Sequence, residues 1–518
     1  MTDDSGREHV TLSVAPRADS GRFREAVDRP LHILVLGDFS GRDADARHVP
    51  EETAARGTIA VHSVIAVHSV DDVLARLRPS VELVVGGEPV RIEFDELDAF
   101  HPDRLVERIP RLRELVEAIE RPDADRANRS EEAPRTPGAE APEPPVREDG
   151  GTESPRPPAP GLLEDIVASA PDRTPERTSG PGSLPDLQPW LREVVGPYLK
   201  EPVAAADDAV VRRRRAEASA AVRGVLHHPA VRELERSWRS LFLLSRAVAP
   251  VADARLHLLD VSRRELTEML GGGEPGPTPL GRILSDALPG PGGATPAGLL
   301  VGDYSFGPEP GDILLLNRLA ILSHLAGAPL VAEAAPGLLG LDSFSDRPDP
   351  GQRDEPAPSW AAFRETEAAA SVALLAPRVL LRTPYGPSAD PCETFAFDEL
   401  SEGGAAAYLW GSSAFLAASA AVEAFDTEGW GFELGAARDF EGLPIHVGPS
   451  GAVEAHVVEC VWPPDVVGHV IDAGVNPVIA FKDTTRARLP GVYSASSGRE
   501  PLVSWWRRRG GGRSPSGA

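Results

Sequence analysis

The chain has 518 residues, 41 % of them hydrophobic and 25 % charged, so it is too long for one ordinary domain and apolar enough for about two to four cored ones. Its 79 acidic and 53 basic residues leave a formal charge of −26, which argues against nucleic acid or an anionic membrane as partner. The 2 cysteines, Cys392 and Cys460, exclude a disulfide-stapled scaffold, and no stretch reads as a secretory signal or a membrane span, so the expected location is a reducing cytoplasm.

Residues 1–30 read as a flexible segment, and 31–120 as a small α/β unit. "LHILVLG" is a buried-type strand. Ser69 N-caps "VDDVLARLR", whose Val70, Val73, Leu74 and Leu77 form one helical stripe. "VELVV-GG-EPVRIEF" is a hairpin signature, with Gly86 and Gly87 supplying the positive φ of a tight turn. A helix from "HPDRLVERIPRLRELVEAIE" closes the unit, bent by Pro110. Residues 121–185 are rich in Pro, Glu and Arg and read as a disordered linker. Within it, at 161–170, "GLLEDIVASA" places Leu162, Leu163, Ile166 and Val167 on one helical face.

A second folded region is expected over 186–495 and a disordered tail over 496–518. "HPAVRELERSWRSLFLLSRAV" is an amphipathic helix, and "ARLHLLDVS" a strand leading into the helix "RRELTEML". "GLLVGDYSFGPEPGDILLLNRLAILSHLAGAPLVAEA" reads as strand, helix, Gly327 and strand, a βαβ unit and hence parallel pairing. Pro377 separates helix and strand in "SWAAFRETEAAASVALLAPRVLLRTPYG". The run 405–425 is apolar nearly all round and reads as a buried helix. The fold class expected is α/β: two units with mixed sheets joined by the linker.

Signatures of chemistry are scarce. The sequence contains no G-x-x-x-x-G-K-[ST], G-x-S-x-G, H-E-x-x-H or strand-borne G-x-G-x-x-G, and adjacent His227 and His228 point to different sides of a helix start. The stretch "LVLGDFS" near the N-terminus is echoed by "LLVGDYS" further on. Asp38 and Asp303 fall at expected strand ends, where α/β sheets place ligands, and an aspartate there can hold Mg²⁺ or act as a base. No phosphate cradle or nucleophile accompanies either one. The preferred reading makes Gly37–Asp38 and Gly302–Asp303 structural strand-exit turns, in which the Asp bonds nearby backbone N–H groups. Arg378 and Arg382 share one strand face by their even spacing, and read as interface or structural ion-pair residues. Trp238, Arg239 and Tyr385 are further interface candidates. No catalytic residue, metal ligand or cofactor site is expected.

Taken together these stretches resemble one family. Residues 31–120, through "ILVLGDFSGR", "VDDVLARLRPSVEL" and "IEFDELDAFHPDRLVERIPRLREL", resemble the small subunit of the type VI secretion contractile sheath. Residues 222–493, through "VLHHPAVRELERSWRSLFLL", "LHLLDVSRREL", "GLLVGDYSFGPEPGDILLLNRLAILSHLAGAPLVAEAAPGLLGLDSF", "PRVLLRTPYGP", "YLWGSSAFLAA" and "EGLPIHV", resemble its large subunit. The resemblance implies a fused small/large protomer that assembles with other sheath subunits around an inner tube protein and performs no chemistry. It also implies an AAA+ unfoldase gripping the 161–170 helix, and baseplate components as neighbours. Tethering makes subunit pairing intramolecular. Large subunits continue into a further C-terminal domain past the last matched stretch, where only "REPLVSWWRRRGGGRSPSGA" follows here, with Trp505 and Trp506 as possible anchors. The alternative is therefore a non-polymerising sheath-like accessory module.

Overall fold

The computed structural model describes residues 29–42, 65–120, 205–270, 279–285, 296–346 and 357–506. The expected helix at 161–170, most of the linker and the last residues of the tail lie outside these. Of the described residues, those up to Ile119 and from Arg213 onward form one compact unit, while Glu120 and 205–212 belong to a second.

The first segment contributes strand β1 (Leu31–Gly37), the short β2 (Ile65–Ala66), helix α1 (Val70–Leu77), the hairpin β3 (Ser80–Val85) and β4 (Glu88–Glu93), and helices α2 (Pro102–Arg108) and α3 (Pro110–Glu120). Ser69 caps α1 by accepting from Asp72 N, and Gly86 and Gly87 turn the hairpin at φ of 62° and 92°. Pro110 does more than bend the closing helix. It divides it, because Ile109 takes extended backbone ahead of the proline ring and ends α2.

The second segment runs α4 (Ala205–Leu226), α5 (Pro229–Val248), β5 (Ala254–Asp260), α6 (Arg263–Leu270), α7 (Pro279–Ser285), β6 (Leu299–Phe306), α8 (Pro310–Ala326), β7 (Leu330–Ala334), α9 (Pro358–Arg364), β8 (Val372–Ala376) and β9 (Val379–Arg382). There follow β10 (Leu409–Gly411), α10 (Ala414–Glu428), β11 (Arg438–Phe440), β12 (His446–Val447), β13 (Val453–Ala455), α11 (Pro464–Asp472), β14 (Val475–Pro477), β15 (Ile479–Ala480) and β16 (Ala487–Leu489). The run 405–425 is thus a buried helix only from Ala414. Before it, β10 pairs with β9 in a small separate sheet.

The central sheet has seven strands in the order β14-β8-β7-β6-β1-β5-β2. All pairings are parallel except that of the edge strand β2. The first segment's β1 therefore does not build a sheet of its own. It lies between β5 and β6 of the second segment, in register from Leu31 opposite Ala254 to Gly37 opposite Asp260. Its composition demands this. Leu31, Ile33, Leu34, Val35 and Leu36 are apolar on both faces of the strand, and all are 0–1 % exposed. Each such side chain contributes about 1.5–3 kcal/mol by burial. Leu34 and Leu36 join a core made with α6, α7, α8 and α11, while α5 and α10 pack on the opposite face.

Candidate functional site: the seam between the segments and the cavity at the strand ends

The two Gly-Asp-aromatic-Ser stretches have different fates. After Gly37 the strand ends, and Asp38 Oδ1 accepts from Arg42 N at 2.9 Å. The remaining donors of that turn go to a residue of the other segment. Phe39 N and Ser40 N donate to Asp260 Oδ1 at 2.9 and 3.2 Å, and the Ser40 hydroxyl donates to Asp260 Oδ2. Arg42 then bridges Asp260 (2.6 Å) and Glu265 (3.0 and 2.9 Å). Trp238, from α5, donates its indole N–H to Phe39 O at 3.0 Å and meets the Phe39 ring edge-on at 5.2 Å. Trp238 is fully buried. The contact it makes is an internal one, between the chain's two segments.

At Gly302–Asp303 the expected strand-exit turn is absent. Strand β6 runs on to Phe306 and absorbs the irregularity as a register shift against β7. Asp303 is held inside the fold, with Arg236 Nη1 of α5 3.2 Å from its Oδ1 and 3.8 Å from Glu333 Oε2 of β7. Burial raises the pKa of Asp303 and of Glu333, and Arg236 only partly offsets it. A cavity of about 400 Å³ lies here, lined among others by Asp38, Arg236, Arg263, Asp303, Glu333 and Arg378. It sits at the carboxyl ends of β1, β6 and β7, where the strand order reverses and α/β sheets place ligands. Here Arg236 stands between two of the carboxylates and ties α5 to the strand ends.

The two glycines differ accordingly. A Cβ on Gly37 would lie 2.8 Å from the Phe39 ring and 2.9 Å from Asp303 Cβ, whereas one on Gly302 would meet only ordinary contacts at 3.5 Å. Gly37→Ala is expected to cost about 1–3 kcal/mol in urea unfolding and Gly302→Ala much less. Equal losses would mean that the close approach at Gly37 is not what selects glycine.

The other interface candidates join a second internal network. Arg382, at the end of β9, donates to Glu235 (2.7 and 3.3 Å) and to Glu399 (2.8 and 3.1 Å). Arg239 donates to Glu235 at 2.7 Å and to the Tyr385 hydroxyl at 2.9 Å, and the Arg382 guanidinium stacks over the Tyr385 ring at 4.1 Å. Arg378 precedes the strand and reaches a different partner, Glu459, through two bonds of 2.8 and 2.7 Å. The shared spacing of the two arginines therefore does not make a pair. Trp505 and Trp506 pack on Trp430 and Phe432, and the Trp505 indole donates to Ala297 O at 3.0 Å, so both tryptophans serve the fold itself.

One group went unread in the sequence because its members lie on different segments. His101 packs edge-on against Tyr385 at 4.8 Å, and Asp103 accepts from Glu393 N (2.9 Å), Thr394 N (3.1 Å) and the Thr394 hydroxyl (2.6 Å). Cys392 stands beside them. Cysteine, histidine and aspartate together invite comparison with a nucleophilic triad. Burial and the nearby Asp103, Asp390 and Glu399 carboxylates instead push the Cys392 thiol up to about 12, the opposite of what a thiolate nucleophile needs.

At the seam the two segments complete one sheet and bond across it, two complementary building blocks joined in one chain. Comparison with known proteins gives the blocks their family. Residues 208–496 match the family model described as VipB: EvpB/VC_A0108, tail sheath N-terminal domain, and residues 7–124 match that described as Type VI secretion system, VipA, VC_A0107 or Hcp2. The chain belongs to the type VI secretion tail sheath family, as a fusion of the VipA and VipB types. It is 30 % identical over 257 residues to the type VI secretion system sheath protein TssC1 of Pseudomonas aeruginosa, an alignment covering 47 % of this chain and 51 % of that one. The chain thus spans about half the length of that relative.

Proposed function

We propose that this chain is a fused protomer of a type VI secretion contractile sheath, polymerising in the cytoplasm around an inner tube protein and doing mechanical work without catalysis. The observation that supports this most directly is the placement of β1 between β5 and β6. The small-subunit-type segment completes the sheet of the large-subunit-type segment, so one polypeptide forms the unit a lattice repeats. Energy release on contraction then requires only that neighbouring units change their packing. No helix among the described residues is long and apolar enough to cross a membrane. Baseplate components nucleate the polymer in this reading. The stretch 161–170, with Leu162, Leu163, Ile166 and Val167 at helical spacing, offers a one-sided apolar face to an AAA+ unfoldase that recycles it.

Sedimentation of the purified chain, with negative-stain microscopy of the same sample, tests the proposal. Tubes or ring fragments are expected, alone or on adding inner tube protein. A particle that stays monomeric at high concentration under both conditions would overturn it and leave the accessory-module reading.

A further inference from the structure

His101 and Asp103 come from the first segment and Cys392 from the second, and their nitrogen, oxygen and sulfur donor atoms all lie within 4.8 Å of one another. The surroundings are built around them. The bonds to Asp103 from Glu393 N, Thr394 N and the Thr394 hydroxyl fix the carboxylate while leaving lone pairs on its oxygens. His101 Nδ1 lies 3.5 Å from Asp103 Oδ2, and its Nε2 faces Asp390 Oδ1 at 3.8 Å, the side on which a carboxylate orients a ligating imidazole. All three side chains are half-buried, so an ion from solvent can reach them.

We propose that His101, Asp103 and Cys392 form a binding site for a divalent thiophilic cation, zinc fitting the donor set best, that clamps the two segments together across the seam. A mixed sulfur, nitrogen and oxygen set is what tetrahedral zinc takes, with Zn–S of about 2.3 Å and Zn–N of about 2.0–2.1 Å. Those bond lengths require the three donors to draw closer than 4.8 Å when the ion binds. Binding replaces the 3.2 Å hydrogen bond from Asp103 N to His101 Nδ1, releases the thiol proton of Cys392 to solvent, and leaves a fourth position for water.

The test uses the full chain, stripped with chelator and dialysed. Calorimetric titration with zinc chloride is expected to show one ion bound per chain and a higher Tm. Cobalt(II) is expected to give a sulfur-to-cobalt charge-transfer band in the near ultraviolet. Cys392→Ser should weaken zinc binding at least about tenfold and abolish that band, while Cys460→Ser should change neither. His101→Gln also removes the cap of α2, so its zinc affinity counts only if its circular dichroism matches the parent's, and Cys392→Ser carries the test otherwise. Absence of saturable binding, absence of the charge-transfer band, or equal loss in Cys460→Ser would each overturn the proposal.

Discussion

Arg382→Ala is expected to destabilise the fold by about 3–5 kcal/mol, because that guanidinium bonds two buried carboxylates at once. Glu235 and Glu399 are both 0 % exposed, and Arg382 bonds to both. Burial by itself pushes these carboxyls up. For Glu235 the charges of Arg382 and Arg239 outweigh it, and for Glu399 those of Arg382, together with bonds from His227 and Tyr385 N, bring the pKa down to about 2. Lowered carboxyl pKa values contribute stability that is present above the unfolded value, near 4.5, and is lost as pH falls through the folded one. Removing the guanidinium leaves Glu399 without its cation and Glu235 with Arg239 alone, so the variant should lose more at neutral pH than near pH 4. Urea unfolding at both pH values measures this. Adding Glu235→Gln and Glu399→Gln to the variant should recover part of the loss at neutral pH. A loss below about 1 kcal/mol would mean that water enters and solvates the acids.

Acidification from pH 7.5 to pH 5 should cost about 4 kcal/mol through one pair of histidines at the seam. His32 on β1 and His257 on β5 are 0 % and 2 % exposed, with His32 Nδ1 2.8 Å from His257 Nε2 and their rings stacked at 4.9 Å. Burial, then the charge of Arg255, lowers His32 to about 4. Burial, then His32, His68 and Arg255, lowers His257 to about 3. A base whose folded pKa is lowered binds its proton more readily when unfolded. Stability is therefore complete above about pH 6.5 and falls as pH drops through the interval between the unfolded and folded values, by up to about 1.4 kcal/mol per pH unit for each ring. At pH 5 that is about 2 kcal/mol for each. Other titrating groups contribute as well, including Asp303 and Glu333, whose raised values act in the opposite direction. The comparison is therefore with the double variant His32→Leu/His257→Leu, whose acid limb should be flatter by the stated amount. Parallel acid limbs for the two proteins would show that the pair does not carry the effect. Because the two rings sit on neighbouring strands from different segments, protonation should act first on the docking of β1.

Local structure was legible in the sequence because its causes are local. The Ser69 cap, the Gly86–Gly87 turn, the βαβ unit whose helix ends at Gly327 and the α/β class each depend on residues a few positions apart, and the order of matched stretches carried the family. What the tertiary structure alone decided are pairings between distant residues. A β1 apolar on both faces apart from His32 must be buried on both sides, but nothing within it names β5 and β6 as its neighbours. The likeness of "LVLGDFS" to "LLVGDYS" suggested like turns, yet the outcome is set by what stands opposite. Asp260 receives N–H groups after Gly37 and ends that strand, whereas β7 continues alongside β6 and Asp303 is held inside the fold beside Arg236, so that strand goes on. Trp238, Arg382 and Tyr385 have the composition of an outer interface and became an inner one. Large aromatic rings and arginines suit any desolvated contact, and only the fold determines whether the partner surface belongs to another molecule or to the same chain.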